Sequence, residues 1–257
     1  PLRRQRQMCI RDRVYTKRSY DQETGIVEDI KRLMTTHPHQ ISNIDDFIKQ
    51  YEDENGVTLA DSQKEAVRSS FRNQVNIITG GPGTGKTTTT KAVLYVHDQV
   101  FGSSSEPVLL APTGRAARRM SEATGYPACT IHSAVGYTGV PELDERMSDT
   151  LEGNLFIIDE SSMADQFITN ILLEHIPDGA RVIFVGDPDQ LPSVGAGNVL
   201  HELIRSQVIP TVKLNVIFRQ TQDNPIVENS IRMQKGETSL YFDGKRFVLF
   251  EQSDPAA

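Results

Sequence analysis

Gly80-Gly81-Pro82-Gly83-Thr84-Gly85-Lys86-Thr87 stands between a short apolar run, Val75 to Ile78, and a helical stretch, Lys86 to Val96. The spacing fits GxxxxGK[ST], with the strand before it and the helix after it that a phosphate-cradling loop requires. Few architectures accept such a segment. The backbone must turn tightly at the end of a buried strand, through angles that glycine adopts without strain, and then start a helix whose first amide protons point at the ligand. Gly81, Pro82, Gly83, Thr84, Gly85, Lys86, Thr87 and Thr88 are the expected phosphate contacts. Lys86 reaches the β and γ phosphates, and the Thr87 hydroxyl holds Mg²⁺.

Around this loop, β-rich apolar runs alternate with helical segments. The runs are Val75 to Ile78, Pro107 to Ala111, Leu155 to Ile158, Arg181 to Val185 and Val212 to Leu214; the helical segments are Lys86 to Val96, Arg115 to Ala123, Ala164 to His175 and Gly197 to Ile204. Near-continuous hydrophobicity is what strands covered on both faces show, and the alternation predicts an α/β fold with a parallel sheet and crossover helices. Upstream, Ile26, Ile30 and Leu33 predict a helix from about Val14 to Met34, broken at Thr35 to His39. A second helix is expected over Ile44 to Tyr51, a turn at Asn55-Gly56, and a third from an Asp61 N-cap through Phe71. Gly125 to Gly153 reads as a loop with a small insertion. Beyond Leu214 one more helix near Pro225 to Met233 and a strand over Arg246 to Phe250 are expected, as if a second domain were beginning.

Composition narrows the partners. The 257 residues are 37% hydrophobic with two cysteines, enough for a packed core but not for a disulfide framework or a four-ligand zinc cluster. Apolar runs fall short of the ~18 to 20 residues that cross a bilayer, so no membrane contact and a cytoplasmic location are expected. A net charge of −7 confines any nucleic-acid contact to a local basic patch. Residues 1–13 carry five arginines and one aspartate without periodicity. They read either as a basic arm or as a non-native scar or disordered segment, and are set aside from the fold.

Five further segments carry candidate chemistry. Leu155 to Ile158 runs into Asp159-Glu160, two carboxylates at the carboxyl edge of a strand, where Asp159 holds Mg²⁺ and Glu160 polarises an attacking water. Gly186-Asp187-Pro188-Asp189-Gln190 also follows an apolar strand; Gln190 can hydrogen-bond a γ-phosphate, or the segment is a plain Asp-Pro turn. Arg219, after Leu214-Asn215-Val216-Ile217-Phe218, can neutralise phosphoryl charge or simply cap a helix. Within Ala111-Pro112-Thr113-Gly114-Arg115-Ala116-Ala117-Arg118-Arg119, the arginines at 115, 118 and 119 share one helical face. With Thr113 and the Gly114 amide that face can hold a nucleic-acid phosphate, although a solvated charge run is the usual meaning. Thr130-Ile131-His132 is a similar case: these are possible phosphate donors, but a lone histidine is more often structural.

Taken together and in this order, GGPGTGKT, APTGRAARRM, TIHSAVGY, FIIDESSM, GDPDQLPSVGAGNVL and LNVIFRQ resemble the RecD-type DNA helicases of superfamily 1, from about Val14 to Phe250. The resemblance implies a RecA-like P-loop motor lobe over 55–210, a helical N-terminal region or linker over 14–54, and the start of a truncated second RecA-like lobe over 211–257. It implies ATP and Mg²⁺ as cofactors, single-stranded DNA as partner, and ATP-driven 5′ to 3′ translocation and unwinding in DNA repair or recombination. Catalysis then falls to Lys86, Asp159, Glu160, Gln190 and Arg219. By the same resemblance Gln63 contacts adenine, and Thr113, Gly114, Arg115, Thr130, His132, Ser193, Val194 and Asn198 lie toward the DNA backbone. The later helicase motifs are not in this sequence, so the chain alone is expected to be largely inactive. The alternative is a P-loop switch or remodelling module that binds nucleic acid without separating strands.

Overall fold

The computed structural model describes residues 7–10, 13–35, 41–102, 105–139 and 150–216, together with Pro225, Asn229, Arg232, Met233 and 236–242. Two short strands, Gln7–Ile10 (β1) and Arg13–Thr16 (β2), pair antiparallel ahead of the first helix, Lys17–Thr35 (α1). Two more helices follow, Ile44–Asn55 (α2) and Asp61–Arg72 (α3). Strands and helices then alternate through Val75–Thr79 (β3), Lys86–Phe101 (α4), Val108–Ala111 (β4), Gly114–Thr124 (α5), Ala128–Thr130 (β5) and Ile131–Ala134 (α6). Leu155–Ile158 (β6), Gln166–His175 (α7), Arg181–Gly186 (β7), Val199–Ser206 (α8) and Thr211–Lys213 (β8) complete the series.

Strands β3 to β8 form one six-stranded sheet in the order β5-β4-β6-β7-β3-β8, parallel at every recorded pairing. Helices cover both faces, which is why the central strands carry apolar residues on each side. On one face Ile77, Phe156, Ile158, Val182 and Phe184 pack with Ile26, Ile30 and Leu33 of α1 and with Ile168, Leu172 and Leu173 of α7. On the other Ile78, Leu155, Ile157, Ile183 and Val185 pack with Ile48 and Tyr51 of α2, Val67 and Phe71 of α3, and Val93 and Val96 of α4. The expected α/β fold is what the chain adopts, and the helical N-terminal region is part of its two helical layers.

Four details depart from expectation. The N-cap of α3 is Ala60, whose side chain can accept no amide, and Asp61 is already helical; the side-chain bond at this end is instead made by Gln63, whose Oε1 turns back to accept the Ala60 amide at 2.9 Å. The supposed loop from Gly125 holds β5 and α6, whose Thr130 hydroxyl accepts the Ser133 amide at 3.1 Å. Residues 140–149 of that span lie outside the described residues. Thr211–Lys213 pairs with Ile77–Thr79, so the first sheet runs past the boundary expected at 210. Finally, the helix expected at Pro225 to Met233 lies mostly, and the strand at Arg246 to Phe250 wholly, outside the described residues.

Candidate nucleotide and nucleic-acid site

The sheet order decides which motifs meet. Strands β6, β7 and β3 are neighbours, so the segments leaving their carboxyl ends emerge side by side: Asp159-Glu160, Asp187 to Gln190, and the glycine loop. Backbone bonds carry the ladder into these turns, from the Gly80 amide to the Gly186 carbonyl at 3.3 Å and from the Asp159 amide to the Leu110 carbonyl at 2.9 Å. Gly186 is small because the turn after β6 crosses it. A Cβ there would lie 2.8 Å from the Ser161 hydroxyl and 2.7 Å from Leu200 Cδ2.

The loop itself is internally braced. Gly83 and Gly85 have φ of 80° and 83°, in the left-handed region that favours glycine. Thr84 Oγ1 donates to the Gly81 carbonyl at 2.9 Å, and Lys86 Nζ donates to the Gly80 carbonyl at 2.6 Å and the Gly81 carbonyl at 3.3 Å. Thr87 is exposed at the first turn of α4, and Thr88 is half-buried. Gln63, assigned to adenine by resemblance, is buried, with Nε2 donating to the Gly85 carbonyl at 3.3 Å.

Across the loop, burial pushes the Asp159 carboxyl above the usual range, against the pull of the Glu160 amide and the positive charges of Lys86 and Arg119. Glu160 is raised too, by burial and then by the charge of Asp159, with Lys86 and Arg119 pulling the other way. Its backbone sits at φ 49°, a left-handed conformation costing a side chain on the order of 1 kcal/mol. Glu160 Oε2 and Asp187 Oδ2 are buried without a hydrogen-bond partner among the described residues, Glu160 near Lys86 and in the same crevice as Thr87. Unpartnered carboxylate oxygens in such surroundings fit a hydrated divalent cation and its phosphate ligand.

These groups line a crevice of about 570 Å³ whose walls include Thr87, Thr90, Thr113, Arg115, Arg119, Asp159, Glu160 and Gln190. A hollow of about 630 Å³ lies at the opposite, amino edge of the strands, but its lining holds Glu106 and Glu152 and no cation. Phosphate belongs in the first.

The basic face expected of α5 is divided. Arg118 points to solvent and pairs with Glu122 at 2.8 Å, whereas Arg115 and Arg119 line the crevice. Thr113 caps α5, accepting the Ala116 amide at 3.2 Å, and Gly114 is exposed beside it. Thr130 caps α6, and exposed His132 rests against Tyr137 at 5.7 Å between ring centroids. Ser193 Oγ donates to the carbonyls of Gly195 and Gly197 at 3.0 and 3.1 Å, closing the loop that presents Val194 and Asn198 to solvent. Thus Thr113 and the 191–198 loop, which follow β4 and β7, and Thr130, the last residue of β5, lie at the same sheet edge, outside the crevice apart from Thr113. Arg219 lies outside the described residues. Sequence reasoning gave no role to Asp187, whose signal was its place at a strand end, and read Arg119 only as part of a basic face, not as a lining of the crevice with the acids.

A family model described as an AAA domain matches residues 58–248. The chain belongs to that family. The resemblance to RecD-type helicases is borne out by its relatives. The ATP-dependent RecD2 DNA helicase of Deinococcus radiodurans is 36% identical over 239 residues, covering 93% of this chain and 32% of the relative. The RecBCD enzyme subunit RecD of Haemophilus influenzae is 32% identical over 215 residues, covering 74% of this chain and 33% of that protein. The chain therefore spans about a third of the length of these relatives. Among solved structures, the Pif1 helicase from Candida albicans superposes with a TM-score of 0.50 at 21% identity, over 69% of this chain and 44% of that one. A Pif1 helicase studied in DNA unwinding at forked double-stranded DNA gives 0.51 at 23% identity, over 71% and 49%. At these identities the likeness speaks for the fold, a RecA-like lobe.

Proposed function

We propose that the chain carries the ATP-hydrolysing lobe of a 5′ to 3′ DNA translocase and helicase of the RecD kind. The observation that supports it best is the meeting of the glycine loop, Asp159-Glu160 and Gln190 on three adjacent strand ends, with arginines on the facing helix. The loop amides and Lys86 hold the polyphosphate, Lys86 exchanging its bonds to Gly80 and Gly81 for phosphate oxygens. Thr87 and Asp159 are the residues that would hold Mg²⁺, which supplies charge neutralisation at the phosphates. Glu160 takes the proton of the attacking water. Gln190 hydrogen-bonds the terminal phosphate and, being continuous with the 191–198 loop, passes its loss to that loop. Arg219 is retained as a γ-phosphate ligand on the ground of the LNVIFRQ segment alone.

Single-stranded DNA lies along the same sheet edge, on Thr113, Gly114, Arg115, Thr130, His132, Ser193, Val194 and Asn198. The names of the relatives, an ATP-dependent DNA helicase and a RecBCD subunit, support both the nucleotide and the strand. In the protein extended to the length of its relatives, phosphate release should rise on adding oligo-dT and vanish in Lys86→Ala. Nucleotide binding that survives Lys86→Ala unchanged would refute the site, and hydrolysis indifferent to DNA in the protein extended to the length of its relatives would leave only a nucleotide switch.

A further inference from the structure

Arg119 has no task in the proposed chemistry, yet its placement is specific. It lies four residues beyond Arg115 on α5, about 6 Å along the helix axis, and both side chains line the crevice that holds Thr87, Asp159 and Glu160. The intervening arginine shows the contrast, since Arg118 is turned outward and neutralised by Glu122. Neither Arg115 nor Arg119 has an ion-pair partner within 4.0 Å among the described residues. Arg119 therefore acts on the two acids across the crevice, as a charge at medium range, and its pull depends on where α5 sits.

That helix is a single element with a defined start and end. Thr113 caps its start, Gly125 ends it in a left-handed conformation, and its buried residues are only Ala117 and Met120. Its hydrogen-bond ladder makes the helix a stiff element that transmits a displacement at one end along its length. Thr113, Gly114 and Arg115, at its head, are the residues proposed to grip a DNA phosphate. Any movement they undergo on binding is delivered, one turn later, to the guanidinium facing Asp159 and Glu160.

We propose that Arg119 is a positioning residue that couples single-strand binding at the head of α5 to the nucleotide site. This rests on the function proposed above and adds the residue through which the two ligands sense each other. Linkage requires the effect to be reciprocal, so that nucleotide changes DNA affinity by the same factor as DNA changes nucleotide affinity.

The test is a binding cycle. Anisotropy of a labelled oligo-dT is titrated with the protein, with and without saturating Mg²⁺ and a non-hydrolysable ATP analogue, and a fluorescent analogue is titrated with and without oligo-dT. The two affinity ratios should agree and differ from one by about 5- to 150-fold, the usual range of such coupling. Arg119→Gln should bring the ratio to within about twofold of one, whatever happens to the separate affinities. Arg119→Lys, which keeps the charge, should restore most of the coupling, and Arg118→Gln should leave it intact. Coupling undiminished in Arg119→Gln, or lost equally in Arg118→Gln, overturns the inference, as does an unaltered protein that binds both ligands independently. In these cases the proposed function stands, because both ligands still bind. Failure of the unaltered protein to bind nucleotide in a Lys86-dependent way would instead strike the function itself.

Discussion

The Gln63 carboxamide bridges the start of α3 to the last glycine of the phosphate loop, donating from Nε2 to the Gly85 carbonyl while Oε1 accepts the Ala60 amide. At 2% exposure it is a brace as well as a candidate base contact. Gln63→Ala unpairs the Ala60 amide and removes one of the donors to the Gly85 carbonyl, which keeps the amide and hydroxyl of Thr89, and should destabilise by about 1–3 kcal/mol. Gln63→Glu keeps the acceptor for Ala60 but sets a carboxylate against the Gly85 carbonyl, so it should not rescue. Thermal unfolding of the two variants decides this; midpoints within about 1 °C of the unaltered protein would show the bridge to be incidental.

Glu160→Gln should change both chemistry and stability, in ways that pH separates. Folding raises the Glu160 carboxyl above its ordinary 4.5, through burial and the neighbouring Asp159 charge. The folded protein thus holds that proton to higher pH than the unfolded chain. Its contribution to stability is full below the unfolded value and is lost as pH rises through the folded one. Glutamine abolishes this loss, so the metal-free variant should melt higher than the unaltered protein at pH 8, by about 2–4 °C per kcal/mol relieved, and equally at pH 3. Hydrolysis should fall by about 10²- to 10⁴-fold with nucleotide still bound. Equal melting at both pH values would mean that Glu160 ionises in the folded state as it does in the unfolded chain.

Arg115 and Arg118 should differ in salt-dependent binding although they are three residues apart. Arg115 lines the crevice below Thr113, and Arg118 is engaged by Glu122. Arg115→Ala should weaken oligo-dT binding and reduce the slope of log affinity against log salt by about one unit, the mark of one lost phosphate contact. Arg118→Ala should leave the slope as it was. Identical slopes for the two variants would return Arg115 to the status of a solvated charge.

Arg32 fastens α1 to the lobe. Its guanidinium donates to the Leu173 carbonyl at 2.8 Å and the Ile176 carbonyl at 3.0 Å, at the end of α7, and pairs with Asp29 at 3.0 Å and Asp178 at 2.5 Å. Arg32→Ala leaves the helix-terminal carbonyls without this donor and should cost about 1–3 kcal/mol in urea unfolding. Arg32→Lys should recover only part, because an ammonium cannot present two forked donors to two carbonyls. A loss below about 0.5 kcal/mol is the mark of an ordinary surface site and would show that α1 is held by its apolar face alone.

The sequence by itself determined the layered α/β character and which residue types the candidate site contains. Both are written locally: a strand buried on two faces needs consecutive apolar residues, as in Leu155–Ile158, and a phosphate loop needs its glycines, lysine and threonine at set spacing before a helix. It did not contain a signal for β5, three half-buried residues long, or for α6, only one turn. Nor could it tell Asp61 from Gln63 at the head of α3, because the choice depended on which side chain could reach back to Ala60 while meeting the loop at Gly85. The strand order, and with it the meeting of Glu160, Gln190 and the glycine loop, was decided by tertiary structure. So was the division of three arginines on one helix into two that line the crevice and one that pairs with Glu122. Those outcomes turn on contacts between residues distant in the chain, where burial, charge and close approach act on neighbours that no local pattern specifies.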